Sequence, residues 1–329
     1  MTCSARLSTA VDLHRKLGAM SDTANHLRIE LRDERRKVAP YRGGIAGRLI
    51  ATWAFFIAAW IALVVATVSG PVPLWLGALG SFVIATTFYM PMHEATHGNV
   101  WGDVSTARWG EEVVGMVSSF WVGFSFQGHR ISHMKHHAFT NDPEKDPDFF
   151  VHGPKRALIP KLYAGTLVAT FLPLFAFVPA ARVLLPKVIK EDGGRLERSP
   201  EEDRYTFRFW LMRTAALVGA FALGFGWEAL WLWFVPTALV IWWLAFIFAW
   251  YPHHPADGKI GRYVDTRVAT FPGSTIIIRG HDHHALHHLF PRVVHYKLPK
   301  LWQEIGPEMT EKGVRTEGTA LGSTGPIVW

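Results

Sequence analysis

The chain has 329 residues, 49% of them hydrophobic, with 15 Trp, 22 Phe and a net charge of +7. Long apolar runs and abundant Trp suit a bilayer-embedded chain, and the basic balance is read as facing an anionic membrane surface, not nucleic acid. One cysteine, Cys3, excludes an intrachain disulfide and thiolate metal clusters, so any metal must take nitrogen or oxygen ligands.

Residues 1–48 are polar and charged, as in Arg32-Asp33-Glu34-Arg35-Arg36-Lys37. They lack the early apolar core of a secretory signal and are expected to form a cytoplasmic segment. A membrane domain is expected over 49–305. From Leu49 to Met92 no residue is charged, and Gly70-Pro71-Val72-Pro73 divides the stretch into two halves of about 20 residues, the length that crosses a bilayer as helix. This predicts a first hairpin over about 49–92.

Two shorter apolar stretches come next, Val113–Gly128 and Leu162–Ala181, the second interrupted by Pro173 and Pro179. Both are read as interfacial, because a crossing by either would put the histidine-rich segments on opposite sides of the membrane. Ser199-Pro200-Glu201-Glu202 has a capping Ser, an early Pro and an acidic residue three positions on, a helix start. A second hairpin is predicted over about 209–250, with spans Phe209–Gly226 and Ala229–Trp250. Arg213 is expected to snorkel at its entrance. Neither hairpin tip carries Lys or Arg, so the termini and the central region are expected in the cytoplasm. From Gly306 the sequence is Gly/Thr/Glu-rich without apolar period, and 306–329 is expected to be a flexible tail. The predicted fold is an all-α integral membrane protein: four transmembrane helices in two hairpins, with a histidine-rich cytoplasmic cap.

The 17 histidines are the outlying count. His93 and His97 are spaced i, i+4. His133, His136 and His137 are spaced i, i+3, i+4, and His284, His287 and His288 repeat that spacing. Such positions share a helix face. Adjacent histidines point about 100° apart, so each trio can serve two metal ions. Imidazole suits iron, zinc, copper and nickel. His253 and His254 close the last predicted span. His129, His254, His281 and His283 are read as structural or as supports for the ligands. His14, His26, His152 and His295 are read as ordinary surface histidines.

The order HxxxH, HxxHH, HxxHH-Leu-Phe-Pro resembles the membrane fatty-acid desaturase and hydroxylase superfamily. The likeness extends through Arg130-Ile131-Ser132-His133 to Thr140-Asn141-Asp142-Pro143-Glu144-Lys145-Asp146-Pro147-Asp148, to Pro252-His253, and to Gly280 through Pro291. It covers roughly Leu49 to Pro299. The resemblance implies two non-haem irons held by His93, His97, His133, His136, His137, His253, His284, His287 and His288, with O2 as co-substrate. Stearoyl-type members place a water-holding Asn four residues before the extra histidine. Here that position is Ala249, whose methyl group holds no water.

The resemblance further implies an oxidoreductase that removes hydrogen from an unactivated methylene of a lipid, giving a double bond. Glu94, Asp146 and Asp282 are candidates to orient the imidazoles. No His-Pro-Gly-Gly of a fused cytochrome b5 is present, so the two electrons per turnover are expected from a separate ferredoxin or cytochrome b5-like donor and its reductase. A carotenoid ketolase or hydroxylase, or an alkyl hydroxylase, shares the third box. Outside the superfamily, His93-Glu94-Ala95-Thr96-His97 also fits the HExxH of an intramembrane zinc protease, with Glu94 as base, though two histidine trios then have no task. A b-type cytochrome fits less well, since its haem needs ligands from opposing spans.

Overall fold

A computed structural model describes residues 29–104, 108–163, 178–184, 198–255 and 259–329. The chain divides into two compact units, 1–42 and 43–329. In the first, residues 29–38 are helical and lead into a 3₁₀ turn, Ala39–Tyr41. His14 and His26 lie outside the described residues.

The second unit is mostly helical. Helix α1, Gly47–Val68, is apolar almost throughout, and only Leu49 and Thr67 in it are buried. One side of α1, with Trp53, Phe56 and Trp60, packs against the core, and its other apolar residues, such as Phe55, Ile61 and Val65, are exposed, as on a lipid-facing helix. Gly70 (φ 99°) makes the turn that β-carbon-bearing residues resist. Helix α2, Leu74–Ala85, starts directly after Pro73. Gly77 lets α2 approach Thr67 and Leu232 more closely than a β-carbon permits. At Thr86 and Thr87 the ladder breaks, with both hydroxyls donating back to carbonyls of the preceding turn. Helix α3, Tyr89–Thr96, then continues, and all eight of its residues are buried.

Helix α4, Arg108–Val122, packs along α3. Gly123 (φ 87°) ends it, and Ser125 caps α5, Phe126–Phe139, by accepting from the Gly128 N–H at 3.2 Å. The stretch read as one interfacial segment is thus the body of α4 and the start of α5. For Leu162–Ala181, residues 164–177 lie outside the described residues. Helix α6, Pro200–Ala222, has the anticipated Ser199 cap on the Glu202 N–H. Helix α7, Gly226–Trp250, is widened by π turns at Leu230–Phe234 and Ala245–Trp250. Strand β1, Arg267–Thr270, pairs in parallel with β2, Arg315–Gly318. Between them lie α8, His284–Leu289, and α9, Leu298–Glu311.

Among the described residues, three helices are long and apolar enough to cross a membrane: α1, the α2–α3 rod Leu74–Thr96, and α7. Helix α6 is as long, but Glu201, Glu202, Asp203, Arg204 and Arg208 crowd its first turns, and it is not among the three.

Two expectations are corrected. Arg213 does not snorkel: it is 2% exposed. Its guanidinium donates to the carbonyls of Gly123 (3.1 Å) and Phe234 (3.0 Å) and to the Thr237 hydroxyl. It also lies against the rings of Trp210, Trp233 and Phe234. Carbonyls freed at the Gly123 break and at the π turn give the buried cation acceptors, which is what such burial requires. Nor is 306–329 a loose tail. Its strand β2 adds a small sheet to the predicted all-α fold, and Glu317 forms a buried ion pair with Arg267 at 2.7 Å. Arg267 also donates to the Val328 carbonyl and, through Nε and Nη2, to the Tyr251 carbonyl. The tail is held by these long-range polar contacts and by the burial of Met309 and Val314.

Candidate metal centre

The nine box histidines fall into two groups. His93, His97, His133, His137 and His287 offer nitrogens all within 4.8 Å of one another, and so do His136, His253, His284 and His288. Helical spacing explains the division. On α5, His133 and His137 sit one turn apart and share the first group, while His136, about 100° round the helix, faces the second. On α8, His284 and His288 share the second group and His287 faces the first. His93 and His97 come from the end of α3, and His253 from the turn after the π turn closing α7.

Within the first group, the Nε2 atoms of His97 and His133 are 3.0 Å apart, those of His133 and His137 3.1 Å, and those of His137 and His287 3.0 Å. In the second, His284 Nε2 lies 3.0 Å from both His253 Nε2 and His288 Nε2. Nitrogens set about 2.1 Å from one ion at right angles are about 3.0 Å apart, so the spacing suits ligands of a shared cation. His93 has both ring nitrogens buried without a partner among the described residues, a costly arrangement unless something binds there. The donor set is nitrogen-only and accepts iron, zinc, copper or nickel.

Protonation is held in the state a metal needs. Burial first, then neighbouring imidazoles, push His133, His137, His287, His253, His284 and His288 well below the ordinary histidine range. Burial takes His97 down to about 4 against the upward pull of Glu94. His136 differs: burial pulls it down, but the Asp148 and Asp146 carboxylates outweigh this and its net shift is upward.

The carboxylates have distinct tasks. Asp146 Oδ1 accepts from His136 Nδ1 at 2.8 Å and from the Asp148 N–H at 2.8 Å, while Oδ2 accepts from the Asn141 N–H at 2.7 Å. This fixes a proton on His136 Nδ1 and leaves Nε2 for the centre. Among the described residues, the Glu94 side chain hydrogen-bonds to none of the nine. It accepts from the backbone N–H and Nδ1 of His295 and from Asn99 Nδ2 at 2.6 Å. Asn99 Nδ2 also donates to the Pro291 carbonyl, so the Glu94–Asn99 pair ties the first box to the end of the third. A fully buried, fully engaged Glu94 is unavailable as a protease base. Asp282 accepts from Ser274, Thr275 and His283 Nδ1 and so braces the entry to α8.

Of the remaining histidines, His281 is buried beside both groups, its ring 4.9 Å from that of His93 and 4.4 Å from that of His284. His129 stacks on His133 at 5.1 Å. His254 turns aside and stacks on Trp250 at 4.2 Å, and His283 lies toward Trp302. Two histidines read as surface residues are not. His295 carries Glu94, and His152 has both ring nitrogens buried, 5.9 Å ring to ring from His253. The sequence reading missed Asn99, His295 and Thr140, whose hydroxyl lies 3.2 Å from His288 Nδ1. Thr140 carried a signal, standing one turn after His136. His295 carried none, because Glu94 is 201 residues away.

The family model described as "Fatty acid desaturase" matches residues 69–319. Among curated proteins, dihydrorhizobitoxine desaturase of Bradyrhizobium elkanii is 28% identical over 191 residues, which is 53% of this chain and 53% of that protein. The chain thus spans about half the length of the curated relative it matches.

Proposed function

The chain belongs to the fatty acid desaturase family, and from that premise we propose that it is a membrane di-iron oxidoreductase that introduces a double bond into a lipid acyl chain. The observation that carries the reading is the division of adjacent histidines, His136 from His137 and His287 from His288, between two facing nitrogen-only groups. That arrangement suits two ions side by side, where a lone catalytic zinc needs three protein ligands. His93, His97, His133, His137 and His287 would hold one iron, and His136, His253, His284 and His288 the other. Bound non-haem iron supplies the O2 activation that an unactivated C–H bond requires. The reaction balances as one CH2–CH2, one O2, two electrons and two protons giving one CH=CH and two waters. The electrons come from an external ferredoxin or cytochrome b5-like donor with its reductase.

The chain's own residues do the rest. Burial favours the neutral form of the imidazoles other than His136, so their Nε2 lone pairs stay available. Asp146 holds the His136 Nδ1 proton, Thr140 meets His288 Nδ1, and His281 fills the space beside both groups. Glu94, Asn99 and His295 lock the first box against the segment after the third, so the two groups keep their separation. In this reading α6 is a fourth span pairing with α7, the membrane domain runs over 49–305, and the histidine cap and termini face the cytoplasm at a bacterial inner membrane.

The test is the acyl-lipid profile by gas chromatography–mass spectrometry after expression in an aerobic host with a ferredoxin and its reductase, with His136→Ala as control. A new unsaturated acyl chain absent from the control supports the reading. An unchanged profile with iron still bound moves the substrate to another class. The name of the curated relative favours, as second choice, dihydrorhizobitoxine or a molecule like it.

A further inference from the structure

A separate cavity of about 330 Å³ lies at the start of α1, against α3 and the segment that enters the third box. None of the nine grouped histidines lines it. Its walls combine two unlike surfaces. One is apolar, formed by Trp53 and Phe56 of α1 with Phe88 and Ile276. The other is cationic, formed by Arg48 and Arg279, and no Asp or Glu lines the cavity among the described residues.

Arg279 is the unusual member. Its backbone is left-handed at φ 53°, a conformation costly for a residue with a β-carbon and one that marks functional positions. Its Nη2 donates to the Thr86 hydroxyl at 2.9 Å, but its Nε is buried without a partner. Burial lowers its pKa with no carboxylate to oppose the shift. Arg48 stands 5.5 Å over the Tyr296 ring. Two guanidiniums on one cavity without a carboxylate, one strained and under-satisfied, suit an anion. The adjoining aromatic wall lies on a helix long and apolar enough to cross a membrane.

We infer that this cavity binds an anionic phospholipid, its phosphate between Arg48 and Arg279 and one chain along Trp53 and Phe56. Basic pockets at the charged end of a span recognise such headgroups. The lipid braces Arg279, directly before Gly280 and the third box, and so stabilises the cap without entering the reaction. The inference rests on α1 lying in a membrane, and not on the reaction being desaturation.

The experiment uses the full chain in nanodiscs of phosphatidylglycerol or of phosphatidylcholine, compared with Arg48→Gln, Arg279→Gln and the double variant. Native mass spectrometry counts lipid retained after detergent release, and thermal melts record stabilisation. The wild type is expected to retain phosphatidylglycerol and melt higher in it. Each variant is expected to bind it about tenfold more weakly or worse, the size of one charge-assisted contact. Equal retention by the double variant, or of phosphatidylcholine by the wild type, overturns the inference. So does an equal rise in melting temperature with inorganic phosphate alone. If Arg279→Gln does not fold, Arg48→Gln decides, since Arg48 is exposed. Retained phosphatidylglycerol with an unchanged acyl-lipid profile would refute the acyl-lipid reading and leave this site standing.

Discussion

Replacing Asp146 by Asn tests the metal centre through a residue outside the nine histidines. The carboxylate accepts three N–H groups, from His136 Nδ1, Asp148 and Asn141, at 2.7 to 2.8 Å, and is 0% exposed. An amide of the same shape has one acceptor oxygen and one NH2. Turned one way, the NH2 meets the Asn141 N–H. Turned the other way, it meets His136 Nδ1–H and the Asp148 N–H. A buried donor facing a donor costs about 1–3 kcal/mol. Removing the carboxylate behind a ligand imidazole lowers metal affinity by about 10- to 100-fold, or about 1.4–2.8 kcal/mol at 1.4 kcal/mol per decade. The two routes agree in size. The assay is iron per chain by mass spectrometry during chelator competition, with a thermal melt beside it. Asp146→Asn is expected to lose iron at about 10- to 100-fold lower chelator concentration and to melt earlier. Wild-type iron retention in a variant that folds normally would refute the placement of His136 in the centre.

Three more outcomes are expected from the geometry. His253→Ala should lose iron while His254→Ala keeps it, because only His253 turns to the second group and His254 stacks on Trp250; equal iron content in the two variants would contradict this. Glu317→Gln leaves Arg267 buried without its carboxylate. The expected destabilisation is about 3–5 kcal/mol, read as an earlier melt, and an unchanged melt would show that the tail contributes nothing. For pH, the grouped imidazoles other than His136 bind fewer protons folded than unfolded, with His97 held at about 4 against an ordinary 6.5. Stability and iron retention should therefore be full above about 6.5 and fall as pH drops toward 4. A melt flat across that interval would refute the neutral, buried state of the cluster.

The grouping of the histidines was legible because helical periodicity is a local property. The i, i+3, i+4 spacings of His133, His136 and His137 and of His284, His287 and His288 state which side chains share a face before any fold is known, and the apolar runs of α1, α2–α3 and α7 are equally local. Family likeness then singled out His253 from its neighbour His254, which spacing alone could not do. What the sequence could not show are contacts made across the chain. Glu94 looked like an orienting carboxylate for a ligand, or a protease base, yet it is engaged by Asn99 and by His295 from 201 residues away. Arg213 looked like a snorkelling residue, but carbonyls freed at Gly123 and in the π turn at Phe234 accept its charge inside the fold. The segment after Gly306 looked loose because Arg267 and Glu317 hold it by charge and strand pairing, which leave no periodic trace. Local spacing sets which faces the histidines present; the long-range polar contacts that bring those faces together exist only in the folded chain.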